Sequence, residues 1–182
     1  MSEVLRALYR GDGAGVAELL AADPELDVFE AAAVGETERL QELLDEDPEL
    51  AAAWAEDGFT PLHLAAFFRH PDAARLLVER GAPVDVVARN RDIAVTPLQS
   101  AVTAGEEATA ALLLARGADP NFQHRGGFTP LHAAAQHGSK PLVELLLAQG
   151  ADRGLADDEG RTPAAYARAA GHEALAARLD GG

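Results

Sequence analysis

The 182-residue sequence has no cysteine, one lysine, one methionine and only three serines. Without cysteine there is no disulfide framework, no thiolate nucleophile and no thiolate metal ligand. The serines are Ser2, Ser100 and Ser139, and none lies in the Gly-x-Ser-x-Gly elbow of a serine hydrolase. No apolar run approaches the roughly 18 residues that a membrane span requires. The opening stretch MSEVLRALYRGDG lacks a long apolar segment behind a basic flank, so it does not read as a secretory signal. A cytoplasmic location is therefore expected.

Basic residues are also scarce. There are 15 Lys and Arg against 30 Asp and Glu, for a net charge of −15. Residues 1–60 hold 16 acidic and 3 basic side chains, residues 61–153 hold 9 of each, and the last 29 residues hold 5 and 3. Such a chain repels phosphate, which argues against nucleic acid and anionic membrane surfaces as partners. The acidic N-terminal third either steers a basic partner or serves solubility alone.

What the sequence does have is repetition. TPLHLAAFFR (60–69), TPLQSAVTAG (96–105), TPLHAAAQHG (129–138) and TPAAYARAAG (162–171) are versions of one string, their threonines 36, 33 and 33 residues apart. LLVERGA (76–82), LLLARGA (112–118) and LLLAQGA (145–151) follow the first three in step. A fixed period in the range of about 20–50 residues marks stacked supersecondary units. Each unit reads as two short helices. The threonine supplies an N-cap oxygen, and proline fits the first helical position, where its missing N–H costs nothing. Leu131 and Ala134–Ala135 form a small apolar face, Gly138 stops the first helix, and the leucine-rich second helix ends at Gly150. Neither helix is long enough to stand alone. One core lined by Leu62, Leu64, Leu76, Leu77, Leu98, Leu112, Leu113, Leu131, Leu145 and Leu146 is expected.

The pattern GxTPLHxAAxxG followed by LLxxGAD resembles the ankyrin repeat, best at 127–152 and 58–82 and recognisably at 96–121 and 160–179. The resemblance implies an all-α solenoid of stacked helix-turn-helix units, with hairpin-like loops projecting at about a right angle and a concave face that binds partners. FEAAAVGETERLQELL (29–44) and LRALYRGDGAGVAELL (5–20) fit the same ruler without TPLH, which suits divergent end units needing a polar outer face. The expected division of this single solenoid is 1–26, 27–56, 57–92, 93–125, 126–158 and 159–182, about six units in all.

Chemistry finds little support. The six histidines show no i,i+4 pair and no mixed metal pattern. For His63 and His132, in the TPLH position, the resemblance implies a structural hydrogen bond to an adjacent loop. GDGAG (11–15) lacks the preceding strand and the glycine spacing of a phosphate loop. Asp157, Asp158 and Glu159 read as a solvated turn. No catalytic residue, metal or cofactor is expected, so the chain is not expected to be an enzyme.

Residues that vary between units without serving the stack are the more informative ones. Six of the nine aromatics fall between 54 and 128, four of them in the part of the chain where charge balances. Phe67 and Phe68 share two slots with Gln136 and His137, which the resemblance places on the concave side. Phe59, Val95 and Phe128 share the slot before the TP threonine. Phe122 and Trp54 are expected in the core, and Phe67 either there or on the surface. The three extra residues of the 36-residue interval fall within DVVARNRDIAV (85–95), either a neutral insertion or a finger whose polar tip is Arg89, Asn90 and Arg91. The expected binding surface comprises Phe59, Phe67, Phe68, Arg91, Val95, Arg125, Phe128, Gln136 and His137. The favoured function is a monomeric interaction module for a protein or peptide. A self-associating structural subunit is the alternative, and an enzyme or small-ligand pocket the least favoured reading.

Overall fold

The four TP threonines each adopt an extended backbone and accept, through Oγ1, the amide N–H three residues on, at His63, Gln99, His132 and Ala165. That cap, with proline in the first turn, starts a helix of seven or eight residues at each copy. The computed structural model describes residues 1–90 and 92–181. Among them are twelve α-helices and one short 3-10 turn (Pro48–Ala52). The helices are α1 Glu3–Tyr9, α2 Gly13–Ala21, α3 Val28–Val34, α4 Thr37–Glu46, α5 Pro61–Phe67, α6 Pro71–Glu79, α7 Pro97–Ala104, α8 Glu107–Ala115, α9 Pro130–Gln136, α10 Lys140–Ala148, α11 Pro163–Ala169 and α12 Glu173–Leu179. None is long and apolar enough to cross a membrane.

The helices pair in sequence, and the pairs stack. The first helices, α1, α3, α5, α7, α9 and α11, each touch the next in that row, and α4, α6, α8 and α10 form a second row behind them. Small side chains let the first row pack closely: Ala31, Ala32, Ala65, Ala66, Ala101, Ala134, Ala135 and Ala167 are fully enclosed. Leu40, Leu44, Leu77, Leu113, Leu142 and Leu146 fill the space between rows. Three expected features of the core are corrected. Leu76, Leu112 and Leu145 are only half-buried, because consecutive residues point about 100° apart on a helix and the second leucine of each pair takes the inner position. Leu64, although sealed, belongs to a separate small cluster with Leu5 and Ala33. Phe122 and Trp54, expected inside, are likewise half-buried.

From α4 onward the chain makes a hairpin between successive helix pairs, closed by a backbone bond from Ala55 to Phe59, Ala88 to Val95, His124 to Phe128 and Asp157 to Arg161. Three of these closures span four residues and the second spans seven, so the three extra residues sit wholly in its tip. The hairpins also bond to one another. The Arg89 amide donates to the Gly58 carbonyl at 2.8 Å, and the Asp158 amide to that of Gly126 at 2.9 Å. Arg91 lies outside the described residues.

Candidate interaction site

Each TPLH histidine ties its own helix to the following hairpin. His63 Nε2 lies 3.0 Å from the Val95 carbonyl, and Nδ1 lies 2.8 Å from Thr60 Oγ1 and 3.3 Å from its amide nitrogen. A carbonyl only accepts, so the proton resides on Nε2 and Nδ1 is the acceptor. Burial pushes the His63 pKa down to about 4, against the opposing effect of the bonds to Val95 and Val86. His132 repeats the arrangement, with Nε2 at 3.0 Å from the Arg161 carbonyl, and burial lowers its pKa too. These are structural imidazoles, as the resemblance implied.

His63 and Val95, joined by this bond, both line a hollow of about 270 Å³. Leu64 and Phe67 of α5 form one wall, and Gln99, Ser100 and Thr103 of α7 form the opposite one. Phe59 and Val95 contribute from the two hairpin bases, Ile93 from the lengthened tip and Tyr9 from the end of α1. The walls are almost entirely apolar. Five large hydrophobic side chains are exposed among the described residues, and three of them, Tyr9, Phe67 and Ile93, converge on this one hollow. Exposed apolar groups scattered singly need no explanation, but a contiguous patch does. The Tyr9 hydroxyl donates to Asp57 Oδ2 at 3.0 Å, which holds the ring in place. Burial, and then the Asp57 charge, raise the pKa of Tyr9.

Three of the residues proposed from sequence, Phe59, Phe67 and Val95, therefore meet here. Phe68 does not. Its half-buried ring packs on the Leu5–Ala33–Leu64 cluster, 5.4 Å from Tyr9 and 5.2 Å from Phe67, and buttresses the hollow from behind. Phe128 and Arg125 line a second, more open hollow of about 340 Å³ near the C-terminal end. There the Phe128 ring is flanked by His124 and His132 at 5.2 Å and Tyr166 at 5.1 Å. Gln136 and His137 are exposed at the end of α9 and line neither hollow. Sequence reasoning passed over Tyr9, Ile93 and Gln99. Ile93 was the detectable one, a bulky apolar residue inside an insertion.

The second hollow is governed by Asp157, whose side chain is buried rather than part of a solvated turn. It accepts from the Glu159 and Arg161 amides, from Arg161 Nε at 2.8 Å and from the Tyr166 hydroxyl at 2.7 Å. Burial opposes its ionisation most strongly, yet these donors together hold the carboxyl below the usual carboxylate range. Every group in this network is satisfied by its neighbours, which makes it a brace for the last hairpin. Among the described residues no group of three or more His, Asp or Glu is placed to hold a metal ion.

With stack, hairpins and site in view, the comparison with known families is decisive. A model described as ankyrin repeats matches residues 5–90, 28–124 and 98–179. The chain belongs to the ankyrin-repeat family. It is similar to the Oryza sativa protein named "Probable E3 ubiquitin-protein ligase", 38% identical over 96 residues, covering 52% of this chain and 21% of that protein. It is also similar to "Ankyrin repeat and SAM domain-containing protein 6" of Mus musculus, 33% identical over 102 residues, covering 56% and 11%. A third relative is the "Transient receptor potential cation channel subfamily A member 1 homolog" of Caenorhabditis elegans, 38% identical over 96 residues, covering 53% and 8%. The chain thus spans about a fifth or less of the length of these relatives. Ankyrin repeats are generally protein–protein interaction modules.

Proposed function

We propose that this ankyrin-repeat chain is a non-catalytic module that binds a protein or peptide partner on the concave face formed by its first helices and hairpins. The observation that carries the reading is the convergence of exposed Tyr9, Phe67 and Ile93 on one hollow. At about 270 Å³ that hollow is near the small end of ligand pockets and has room for one bulky side chain of a larger partner. Anchors of this kind, seated in central pockets, dominate interface energies. Phe59, Phe67 and Val95 would then form the anchor pocket, with Phe68 and Phe128 as supports and Arg125, Gln136 and His137 as outer contacts. The acidic first 60 residues favour a basic partner and would mainly raise its association rate. The reading further takes the molecule as cytoplasmic and monomeric, with unit boundaries near 27, 57, 93, 126 and 159.

A displayed library of random peptides, panned on the full chain, tests this. Enriched peptides should bind the wild-type chain and lose most of their affinity for Phe67→Ser, a change at an exposed position that leaves the core intact. Enrichment no greater than on an unrelated acidic protein, or binding indifferent to Phe67→Ser, would overturn the proposal. A dimer that light scattering finds to be sealed through this same face would favour the self-associating alternative.

A further inference from the structure

Several of the residues that line the hollow carry polar side chains, yet almost no polar atom reaches its surface. Their hydrogen bonds show where those atoms go. His63 engages both ring nitrogens, one with Val95 and one with Thr60. Ser100 Oγ donates to the Thr96 carbonyl at 3.2 Å, and Gln99 Nε2 donates to Thr103 Oγ1 at 3.4 Å. The Gln99 amide oxygen is sealed in the packing, out of reach of the hollow. The Val95 carbonyl accepts from the Ala88 amide at 2.8 Å as well as from His63. The Tyr9 hydroxyl is held by Asp57. A polar atom that a partner brings into this space loses its water and meets hydrocarbon.

That condition narrows the occupant. A lysine or arginine would bury a charge against apolar surface, which costs far more than one lost hydrogen bond. Tryptophan and tyrosine carry an N–H or O–H that needs a partner once buried. Tyrosine entering ring-first puts its hydroxyl deepest. Leucine and phenylalanine have no such group, and between these two the walls decide. Tyr9, Phe59 and Phe67 contribute rings, and aromatic pairs gain from edge-to-face contact beyond the area they bury.

Charge around the hollow decides what flanks the anchor. Among the described residues no charged side chain lines it. Carboxylates stand beside it, since Asp57 holds Tyr9 and exposed Asp92 immediately precedes Ile93. Two arginines are engaged elsewhere: Arg6 donates to the Met1 carbonyl at 2.7 Å, and Arg89 lies over the Trp54 ring at 4.0 Å. Residues 1–60, which supply Tyr9 and Phe59, hold 16 acidic and 3 basic side chains. A second copy of this chain, at a net charge of −15, meets like charge here, whereas a basic segment meets its complement. We infer that the hollow takes the phenylalanine side chain of a basic segment on a partner protein. This rests on the interaction reading above and adds the chemistry of the anchor and its flanks.

The test uses the full, isotopically labelled chain and capped peptides with arginine two residues to either side of a central phenylalanine, 4-methylphenylalanine, tyrosine or leucine. Binding is followed through the Ile93 amide resonance. A methyl and a hydroxyl group are close in size, and only the hydroxyl needs a partner. Phenylalanine and 4-methylphenylalanine should therefore bind alike, and tyrosine about tenfold more weakly. Leucine should fall roughly threefold or more below phenylalanine. Aspartates in place of the arginines should weaken the phenylalanine peptide at low salt. In Phe67→Ser, a change at an exposed position, that peptide should lose most of its affinity. Tyrosine binding as tightly as phenylalanine, or leucine more tightly, with Ile93 perturbed, would overturn the anchor and leave the interaction reading standing. Equal rejection of tyrosine and 4-methylphenylalanine would overturn the polar exclusion on which the anchor rests. Aspartate flanks binding as well as arginine would overturn the basic segment. Toluene binding as tightly as the phenylalanine peptide would assign the hollow to a small hydrocarbon in place of a partner segment. No response at Ile93 to any peptide would sink both readings.

Discussion

His63 and Val95 are 32 residues apart in sequence, yet the His63 imidazole donates to the Val95 carbonyl at 3.0 Å. This bond fixes the base of the lengthened hairpin to the start of the preceding unit. The added residues can therefore vary at the tip without disturbing the stack below. It also makes a neutral imidazole part of the fold, which ties stability to pH.

The unfolded chain protonates His63 near pH 6.5, whereas burial lowers its folded pKa to about 4. Between these values the unfolded chain binds more protons, so stability must fall as pH drops through that window. The loss should approach the order of 3 kcal/mol at the lower end, since each pKa unit is worth about 1.4 kcal/mol. His132 and His70, whose pKa values burial also lowers, act in the same direction. Urea titrations at pH 7.0, 5.5 and 4.5 on wild type and His63→Gln should show a shallower pH dependence in the variant. Parallel curves would remove His63 from the account.

Leu131 is 1% exposed within α9, with α7 on one side and α11 on the other. Truncation to alanine leaves a cavity inside the array, where neighbours on both sides restrict collapse. Leu131→Ala should lose about 2–5 kcal/mol by urea denaturation. Leu145→Ala should lose visibly less, because Leu145 is only half-buried.

Much of this architecture is legible in the sequence because the repeat couples several requirements in one register. Thr60 caps the helix through Oγ1, Pro61 fits its first turn without an N–H to satisfy, and His63 bonds back to Thr60 and out to the next hairpin. The helix starts follow from that, and the structural role of both TPLH histidines follows from the resemblance to the ankyrin repeat. Inner and outer leucines are harder to assign, since LL does not say which of two adjacent residues faces inward until the helix phase is known. The site was legible only in part for a different reason. Phe59, Phe67 and Val95 stand out because they vary at fixed slots, but Tyr9 lies in a divergent end unit with no slot to compare. Phe68 and Phe128 look like surface anchors in the string, whereas in the fold both rings are half-buried against other rings. Gln99 reads as a mere lapse from TPLH until the fold places it among the residues that line the hollow.

Two glycines with the same φ should respond differently to alanine. Gly58 (φ +85°) abuts the next hairpin, so an added Cβ would lie 2.5 Å from the Asn90 amide nitrogen and 2.6 Å from the Arg89 carbonyl carbon. Gly81 (φ +87°) faces open space. Gly81→Ala should cost about 1–2 kcal/mol, the left-handed backbone penalty alone. Gly58→Ala should cost roughly twice that or more, because backbone atoms rather than a flexible side chain obstruct it. Similar melting temperatures for the two variants would mean that the hairpins are not packed as described.

Arg69 is the exception at the turn between the two helices of a unit. It has φ +66°, the conformation that Gly35, Gly105, Gly138 and Gly171 adopt at the equivalent turns. A side chain with a Cβ is strained there by about 1–2 kcal/mol, while glycine at the same place carries a larger unfolded-state entropy worth roughly 0.5–1 kcal/mol. The first effect exceeds the second, so Arg69→Gly should stabilise the chain by about 0.5–1 kcal/mol. A rise in the urea midpoint with an unchanged slope would register it. Arg69 lies two residues beyond Phe67 and does not line the hollow, so peptides selected on the wild-type chain should bind Arg69→Gly with little loss. A drop in stability would show that the arginine side chain makes contacts outweighing the strain of its backbone.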